Sequence, residues 1–459
     1  MKIVIAGCGM VGRELTQRLS QEGHDVTAID TDPRRIEEVG NLYDVMGVEG
    51  SCASLGVQVD AQADKADLLI ATTASDEQNL LACLIARKLG AKHTIARVRD
   101  PNYTRRQDKT GSLLDFLSEE LGLSMYLNPE FAAASEISRL LRFPTAHRVD
   151  VFAGGRAEIV EITAGADSPL PGLLLRDLSR EFGRVLVCAV QRGEEAHIPG
   201  GDFRLQAEDR ISITGEPSEI ARFLRRLGIQ KKKADRVLIV GGGRIAYYLA
   251  SSLAGAGTRV TIVERDEARC SELCELLPGA GIIHGDGTDH ELLGELGAEN
   301  MDAIVALTDS DQVNIILGLY AASLGAAKTV VKVNSGNLID LSERSGLGSV
   351  ISPKHITANM ILSYVRGMNA ASEDSNVEAI HSLCGGKVEA LEFSVGREVE
   401  GLCGVPLKDL NTRPGLLVAC IIRGGKALIP GGTDSLHRGD HVIVVTAEQG
   451  LDDIGDILE

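Results

Sequence analysis

Three glycines are the first residues in the chain whose spacing suggests chemistry. Gly7, Gly9 and Gly12 form Gly-x-Gly-x-x-Gly, with Cys8, Met10 and Val11 between them. The run Lys2-Ile3-Val4-Ile5-Ala6 before them reads as a strand, and Val11 to Leu19 as an amphipathic helix. In a dinucleotide-binding turn each glycine has its own task. Gly7 permits the tight turn, Gly9 lets the backbone approach a pyrophosphate, and Gly12 lets helix pack on strand. The free N–H groups and the positive end of the helix dipole then face phosphate. A second strand, Asp25-Val26-Thr27-Ala28-Ile29, ends at Asp30, about 20 residues on, where a carboxylate accepts both ribose hydroxyls. Glycine spacing alone is shared with ordinary βα turns, but strand, glycines, helix and acid together point to a nucleotide.

The constellation occurs twice. Gly7, Gly9, Gly12 and Asp30 are matched 234 residues later by Gly241, Gly243, Ala246 and Glu264, after the strand Arg236-Val237-Leu238-Ile239-Val240. Downstream the offset is 235, pairing Ser75-Asp76 with Ser310-Asp311, Asn79 with Asn314, and Arg97 with Lys332. A duplication with one insertion explains both offsets. Strands alternate with helices in each copy; in the first, strands are expected at 2–6, 25–29, 44–48, 67–71 and 93–98, with a helix from Asp76 to Leu89. This order implies right-handed crossovers and a doubly wound parallel sheet. Ligand then belongs at the carboxyl ends of the strands, where Thr72-Thr73-Ala74-Ser75-Asp76 and Leu307-Thr308-Asp309-Ser310-Asp311 end the fourth strands. Ser75 and Asp76 also suit a helix N-cap, a role compatible with ligand contact.

Each sheet is followed by an amphipathic helix after a proline, Pro129 to Arg142 and Pro353 to Arg366. Such a helix either docks on a second subunit or folds back on its own sheet; periodicity does not choose. A smaller module then repeats at an offset of 231, marked by Ile198-Pro199-Gly200-Gly201 and Ile429-Pro430-Gly431-Gly432. Each copy reads as strand, Pro/Gly connection, short helix start, hairpin, strand and terminal helix. The hairpins turn at Arg192-Gly193-Glu194 and Arg423-Gly424-Gly425. A unit of roughly 80 residues has a small core and is expected to dimerise or lean on a neighbour. The fold class is therefore α/β, with two Rossmann-like domains at 1–143 and 236–372. Each precedes a small α+β domain, at 144–228 and 373–459, and a lysine-bearing linker at 229–235 joins the halves.

Composition narrows the function. The formal charge is −18, aromatic residues make up 3 % of the chain, and Trp is absent, so neither phosphate-backbone binding nor base stacking is expected. No run of 18 or more apolar residues suggests a membrane span. The chain enters a strand directly, without the charged and apolar regions of a signal peptide. Nine cysteines, most in apolar segments, read as reduced and cytosolic. Cys270 and Cys274 are one helical turn apart, but without a second ligand pair they read as packing residues, and no metal site is expected.

A Rossmann unit followed by a small α+β unit, all occurring twice, resembles the tandem RCK (potassium-conductance regulator) family, and within it the TrkA-type subunits of Trk potassium-uptake systems. The resemblance covers essentially the whole chain. Its most specific elements are the duplicated glycine loops, the Thr-x-Ser-Asp segments and the Ile-Pro-Gly-Gly hairpins. It implies a cytoplasmic regulatory subunit that binds NAD(H) or adenine nucleotides, held at the inner face of the membrane by a membrane-embedded potassium-transporting partner. A homotetrameric ring is also implied. Carried onto this chain, the first nucleotide site is expected at Gly7, Cys8, Gly9, Met10, Val11, Gly12, Asp30, Ser51, Cys52, Thr73, Ala74, Ser75 and Arg97. The second is expected at Gly241, Gly242, Gly243, Arg244, Ile245, Glu264, Asp286, Gly287, Thr308 and Lys332, with Ala246 an allowed replacement for the third glycine. Arg97 and Lys332 are expected to face ligand phosphate or a neighbouring protomer. Gly285-Asp286-Gly287-Thr288 fits the family's adenine-side turn, whereas Gly50-Ser51-Cys52-Ala53 lacks the acid.

The competing reading is an NAD-dependent oxidoreductase. Hydride transfer needs a proton donor or acceptor beside the nicotinamide, usually His, Lys or Tyr, and a concave substrate pocket. His197 is the obvious candidate, but its repeat counterpart is Leu428; His93 and His147 stand in apolar or loop contexts. No catalytic motif appears, so a non-catalytic sensor is expected. A ribose carboxylate disfavours a 2′-phosphate, yet NAD, ATP and ADP all carry the free diol, so the motif does not rank them.

Overall fold

Where β-branched and aliphatic runs are bounded by turn residues, strands form: β1 (Lys2–Ala6), β2 (Asp25–Asp30), β3 (Met46–Glu49), β4 (Leu68–Ala71) and β5 (His93–Arg97). All pair in parallel, in the order 3-2-1-4-5-6. The last strand, β6 (Met125–Leu127), corrects the five-strand expectation; a three-residue segment is too short to carry a periodic signal. Ile3, Val4 and Ile5 of β1 and Leu68, Leu69 and Ile70 of β4 are fully buried, as central strands covered on both faces must be. Each such side chain contributes about 1.5–3 kcal/mol.

The computed structural model describes residues 1–104, 113–228, 234–344, 347, 349–372, 377–396, 399, 401–448, 451 and 453–459. The three linker lysines and the domain boundary at 373 lie outside them. Two compact units are present, one of residues 1–135 and 352–362, the other of residues 136–351 and 363–459. In the second unit the strands Arg236–Val240, Arg259–Glu264, Gly281–His284, Ala303–Ala306, Lys328–Lys332 and Ser349–Ile351 repeat the same sheet order.

Each exit helix contacts a helix from the other half of the same chain. In the first unit, Lys354 Nζ at the start of Pro353–Ser372 lies 3.1 Å from Glu14 Oε2, and Arg18 donates to Asn359 Oδ1 at 2.8 Å. Glu14 and Arg18 belong to α1 (Met10–Gln21), the helix behind the first glycine loop. The helix that leaves the second sheet thus docks on the first half of the same chain. Reciprocally, Ser138 of Pro129–Arg142 meets Ser252 of Arg244–Gly255 in the second unit, with hydroxyl oxygens 3.4 Å apart.

The small modules are five-stranded antiparallel sheets, each with a strand the sequence reading missed, Arg148–Phe152 and Val377–Leu383. The expected terminal helix forms in the first, Pro217–Arg226, but in the second it is a short 3-10 turn, Ile454–Ile457. The modules do lean on a neighbour, which is each other. Phe152, Ile159 and Cys188 share one core with Ala390, Cys420 and Ile443, and Asp150 Oδ1 lies 3.0 Å from His381 Nδ1. Each hairpin is stapled by a two-pronged ion pair, Arg192–Asp209 at 2.8 Å and Arg423–Asp440 at 2.7 and 2.8 Å. Burial raises the Asp209 carboxyl, but Arg192 and the Gln206 amide outweigh it and hold it below the usual range. Lys328 ties the second sheet to the first module: its buried ammonium donates to Ala146 O at 2.5 Å and Ser349 Oγ at 2.8 Å, and burial pushes it down to about 7.

Candidate functional site

The two glycine loops have one backbone geometry. Gly7 and Gly241 adopt φ of +99° and +102°, the left-handed region that side chains avoid. A Cβ at Gly7 would also lie 2.9 Å from Thr73 N on the facing loop. Gly9 and Gly243 precede the first helical turns as N-caps without side-chain caps, and nothing lies within 4 Å of where their Cβ atoms would be. Uncapped amide donors beside open space form a cradle of the size and polarity that a pyrophosphate requires.

Asp30 sits at the edge of the cradle and is 8 % exposed. Its Oδ2 accepts from Cys8 N at 2.7 Å and its Oδ1 from Asp32 N at 2.9 Å. Glu264 makes the same pair of bonds, with Gly242 N at 2.6 Å and Asp266 N at 2.9 Å. Each acid thus staples its own loop. Two backbone bonds leave each carboxylate further lone pairs, so loop support and ribose recognition are compatible.

A cleft of about 290 Å³ opens over the first loop. From the expected residues its wall includes Gly7, Gly9, Met10, Val11, Asp30, Ser51, Cys52, Thr73, Ala74 and Arg97. Three expected residues are elsewhere. Cys8 is buried behind the loop, where burial pushes its thiol up to about 12. Gly12 packs under Gly7, and Ser75 caps the next helix by accepting from Gln78 N at 3.2 Å. The wall also includes Arg35 and Gln78, which sequence reading did not select. Arg35 Nη1 lies 3.6 Å from Asp30 Oδ2. Arg97 donates to Thr73 O across the cleft mouth.

The loop after β4 has an organiser that the repeat marked without revealing its role. Asn79 is fully buried; its Oδ1 accepts from Thr73 N and Oγ1 at 2.8 and 2.7 Å, while its Nδ2 donates to Thr73 O and Arg97 O at 3.2 and 2.9 Å. Asn314 ties Thr308 to Lys332 in the same way. Asp76 Oδ2 accepts from Arg99 N and Asp100 N at 2.8 Å each, and Asp311 Oδ2 from Asn334 N and Ser335 N at 3.0 and 2.9 Å. These acids position the loop after the fifth strand. A polar residue recurring inside an otherwise apolar helix was the available signal.

In the second copy Gly241, Gly242, Gly243, Arg244, Ile245 and Glu264 form the equivalent loop and acid. Asp286 closes its own turn, accepting from Thr288 N and Oγ1 at 2.9 and 2.8 Å, beside Gly287. Lys332 Nζ is 3.9 Å from Asp309 Oδ1. His197 contacts its own module, with Glu195 at 3.5 Å and the Phe203 ring at 5.6 Å. Cys270 is buried and Cys274 exposed on the helix Glu267–Leu276. No helix among the described residues is long and apolar enough to cross a membrane.

Comparison with known proteins agrees with this geometry. The TrkA-N domain model matches residues 3–113 and 237–353, and the TrkA-C domain model residues 159–228 and 392–459. A Trk system potassium uptake protein TrkA homolog of Archaeoglobus fulgidus is 32 % identical over 458 residues, covering 100 % of both chains. The Trk system potassium uptake protein TrkA of Halomonas elongata is 32 % identical over 454 residues, covering 98 % of this chain and 96 % of its own. Among solved structures, the GsuK channel bound to NAD has a TM-score of 0.64 at 19 % identity, covering 97 % of this chain and 76 % of that one, a likeness of fold. With both domain types matched twice and full-length relatives at this identity, the chain belongs to the TrkA family of Trk-system potassium uptake proteins.

Proposed function

We propose that this chain is a regulatory subunit that binds NAD(H) or adenine nucleotides at its two glycine loops and controls a membrane-embedded potassium-transporting partner from the cytoplasmic side, as a homotetramer. The observation that carries the reading is the twice-built cradle: an uncapped helix N-terminus open to space, with a carboxylate fixed at its edge. Family membership supports the potassium role, since the full-length relatives are named for Trk potassium uptake. The likeness to GsuK structures bound to NAD and to ADP is in keeping with a nucleotide ligand.

In this reading Gly7, Gly9 and the first amides of α1 hold the pyrophosphate, Asp30 takes the ribose diol, and Arg97 or Lys332 faces the phosphates. The bound nucleotide supplies no chemistry of its own here; it acts by preferring one arrangement of the protein. A preference of about 1–3 kcal/mol changes partner activity by roughly 5–150-fold. Among the described residues the wall of the first cleft carries no His, Lys or Tyr to move a proton at a nicotinamide, in keeping with a sensor rather than an oxidoreductase.

Calorimetric titration with NADH, NAD⁺, ATP and ADP, followed by recovery of the ligand, tests the proposal. Binding with unchanged ligand, weakened by Asp30→Ala and Glu264→Ala without loss of fold, is expected. Wild-type affinity in both variants would remove the sites, and turnover of NADH would replace the sensor with the oxidoreductase.

A further inference from the structure

We infer that Gln58 is a positioning residue that lets the first site tell adenine from purines with a carbonyl at position 6. Its buried amide holds the base-facing turn to the helix that organises the opposite wall of the cleft. The inference rests on the reading that the first loop binds a nucleotide. Pyrophosphate at the α1 loop and ribose at Asp30, on the end of β2, leave the base to lie beyond β2, over the turn that follows β3. That turn contributes Gly50, Ser51 and Cys52 to the cleft wall, and Gly50 N donates to Asp30 O at 2.9 Å.

The turn lacks the acid that closes its counterpart. Asp286 accepts from Thr288 N and Oγ1 at 2.9 and 2.8 Å, whereas Ser51, at the same place in the repeat, accepts from Ala53 N through Oγ at 3.3 Å. Gln58, on the short helix Leu55–Asp60, makes up the difference from behind. It is fully buried, and its Nε2 donates to Cys52 O at 2.7 Å and to Ala82 O at 2.9 Å. Ala82 is one turn along the helix Asp76–Leu89 from Asn79, which holds Thr73 and Arg97 on the other side of the cleft. One amide thus joins both walls. It also fixes the plane of the Cys52–Ala53 peptide, and with it the hydrogen-bonding edge that the turn presents to a base.

Packing alone does not demand this amide. Leu293 stands at the equivalent place in the second copy, 3 % exposed. Two carbonyl acceptors decide which end of the Gln58 amide is nitrogen, so Oε1 is left as a buried acceptor with no donor among the described residues. An orphaned acceptor weakens the fold, and a leucine avoids it. What the amide adds is the hold on Cys52. Adenine offers an amino donor at position 6 where hypoxanthine, like guanine, offers an acceptor, so a fixed backbone edge accepts one and rejects the other.

The test titrates the full-length protein with ADP and IDP, which differ only in that edge of the base. Glu264→Ala isolates the first site and Asp30→Ala the second. In the first site ADP is expected to bind about tenfold more tightly than IDP. Gln58→Leu, which installs the second copy's residue, is expected to cut that ratio to about twofold or less by weakening ADP while IDP stays nearly unchanged. The ratio at the second site should not move. A residue that merely supports the fold would weaken ADP and IDP together, so an unchanged first-site ratio overturns the inference, as does a first site with no preference for ADP at the outset. Gln58→Met, which keeps the length of the side chain, gives the same comparison should the leucine variant fail to fold. Both substitutions are also made in the otherwise unaltered chain, in case an isolating variant does not fold. Absence of ADP binding by the unaltered chain overturns the reading beneath the inference as well.

Discussion

The two glycine loops share a backbone but not a set of side chains, and two of the differences are compensated in pairs. In the second copy Gly287 has no room for a side chain, because its Cβ would lie 2.1 Å from Val240 Cγ1. The first copy has Cys52 at that place and Ala6 opposite, both in one core. Behind the loop, a Cβ at Gly242 would lie 2.7 Å from Leu273 Cδ1, whereas the first copy pairs Cys8 with the smaller Val39. Under the loop, a Cβ on Gly12 would fall 1.8 Å from Gly7 O, yet the second copy has Ala246, fully buried. Interiors are packed closely enough that one added methyl must be matched by one removed. Duplication preserved the volume and the amide cradle while leaving each site's chemistry free to change. The cradle is therefore what the two copies share, and Met10 against Arg244 is where their side chains differ in charge.

The sharpest way to break this comparison is at the helix–loop contact. Gly12→Ala forces a methyl toward the Gly7 carbonyl and is expected to cost about 1–3 kcal/mol. Ala246→Gly, the reverse exchange, costs only about 1 kcal/mol, the helix penalty of glycine. Chemical denaturation of each variant checks the asymmetry; equal costs would mean that the two helices pack alike.

An effect of similar size sharpens the pairing. Gly287→Cys is expected to destabilise by about 1–3 kcal/mol through its clash with Val240. The double variant with Val240→Ala recreates the first copy's pair, so the double-mutant cycle gives a coupling of about 0.5–3 kcal/mol. Additivity would show that the exchange is coincidence. The smallest effect separates the exit helices: the clasp on α1 is ionic, through Glu14 and Lys354, and its counterpart is a pair of hydroxyls. Glu14→Gln should cost about 1 kcal/mol at low salt, less at high salt, and Ser252→Ala nearly nothing at either. Melting curves at two ionic strengths decide between them.

Much of the fold was legible because it repeats. The glycine spacing, the acids Asp30 and Glu264, and the strands β1 to β5 all announced themselves through local rules: turn geometry, hydrogen-bonding capacity and hydrophobic period. Of the loop residues that the spacing singled out, Gly7, Gly9, Met10 and Val11 line the cleft. Local rules failed where a residue acts at a distance. Asn79 looks like one polar residue in a helix until β5 lies beside it, and Arg35 faces Asp30 only once the second helix has packed. The strand β6 is three residues long and takes its form from β5. The exit helices presented an apolar face that any partner would satisfy.

The sequence by itself determined the repeated βα order, the glycine-lined turns and the acids at their edges, because those follow from steric and hydrogen-bonding limits within about 30 residues. Only the tertiary structure decided what each surface meets. It joined the two small modules through one core, placed the second exit helix against Glu14, and set Cys52 opposite Ala6 and Gly287 opposite Val240. Hydrophobic burial is non-directional, so the sequence specifies that such faces must be covered, while chain connectivity and close packing select what covers them.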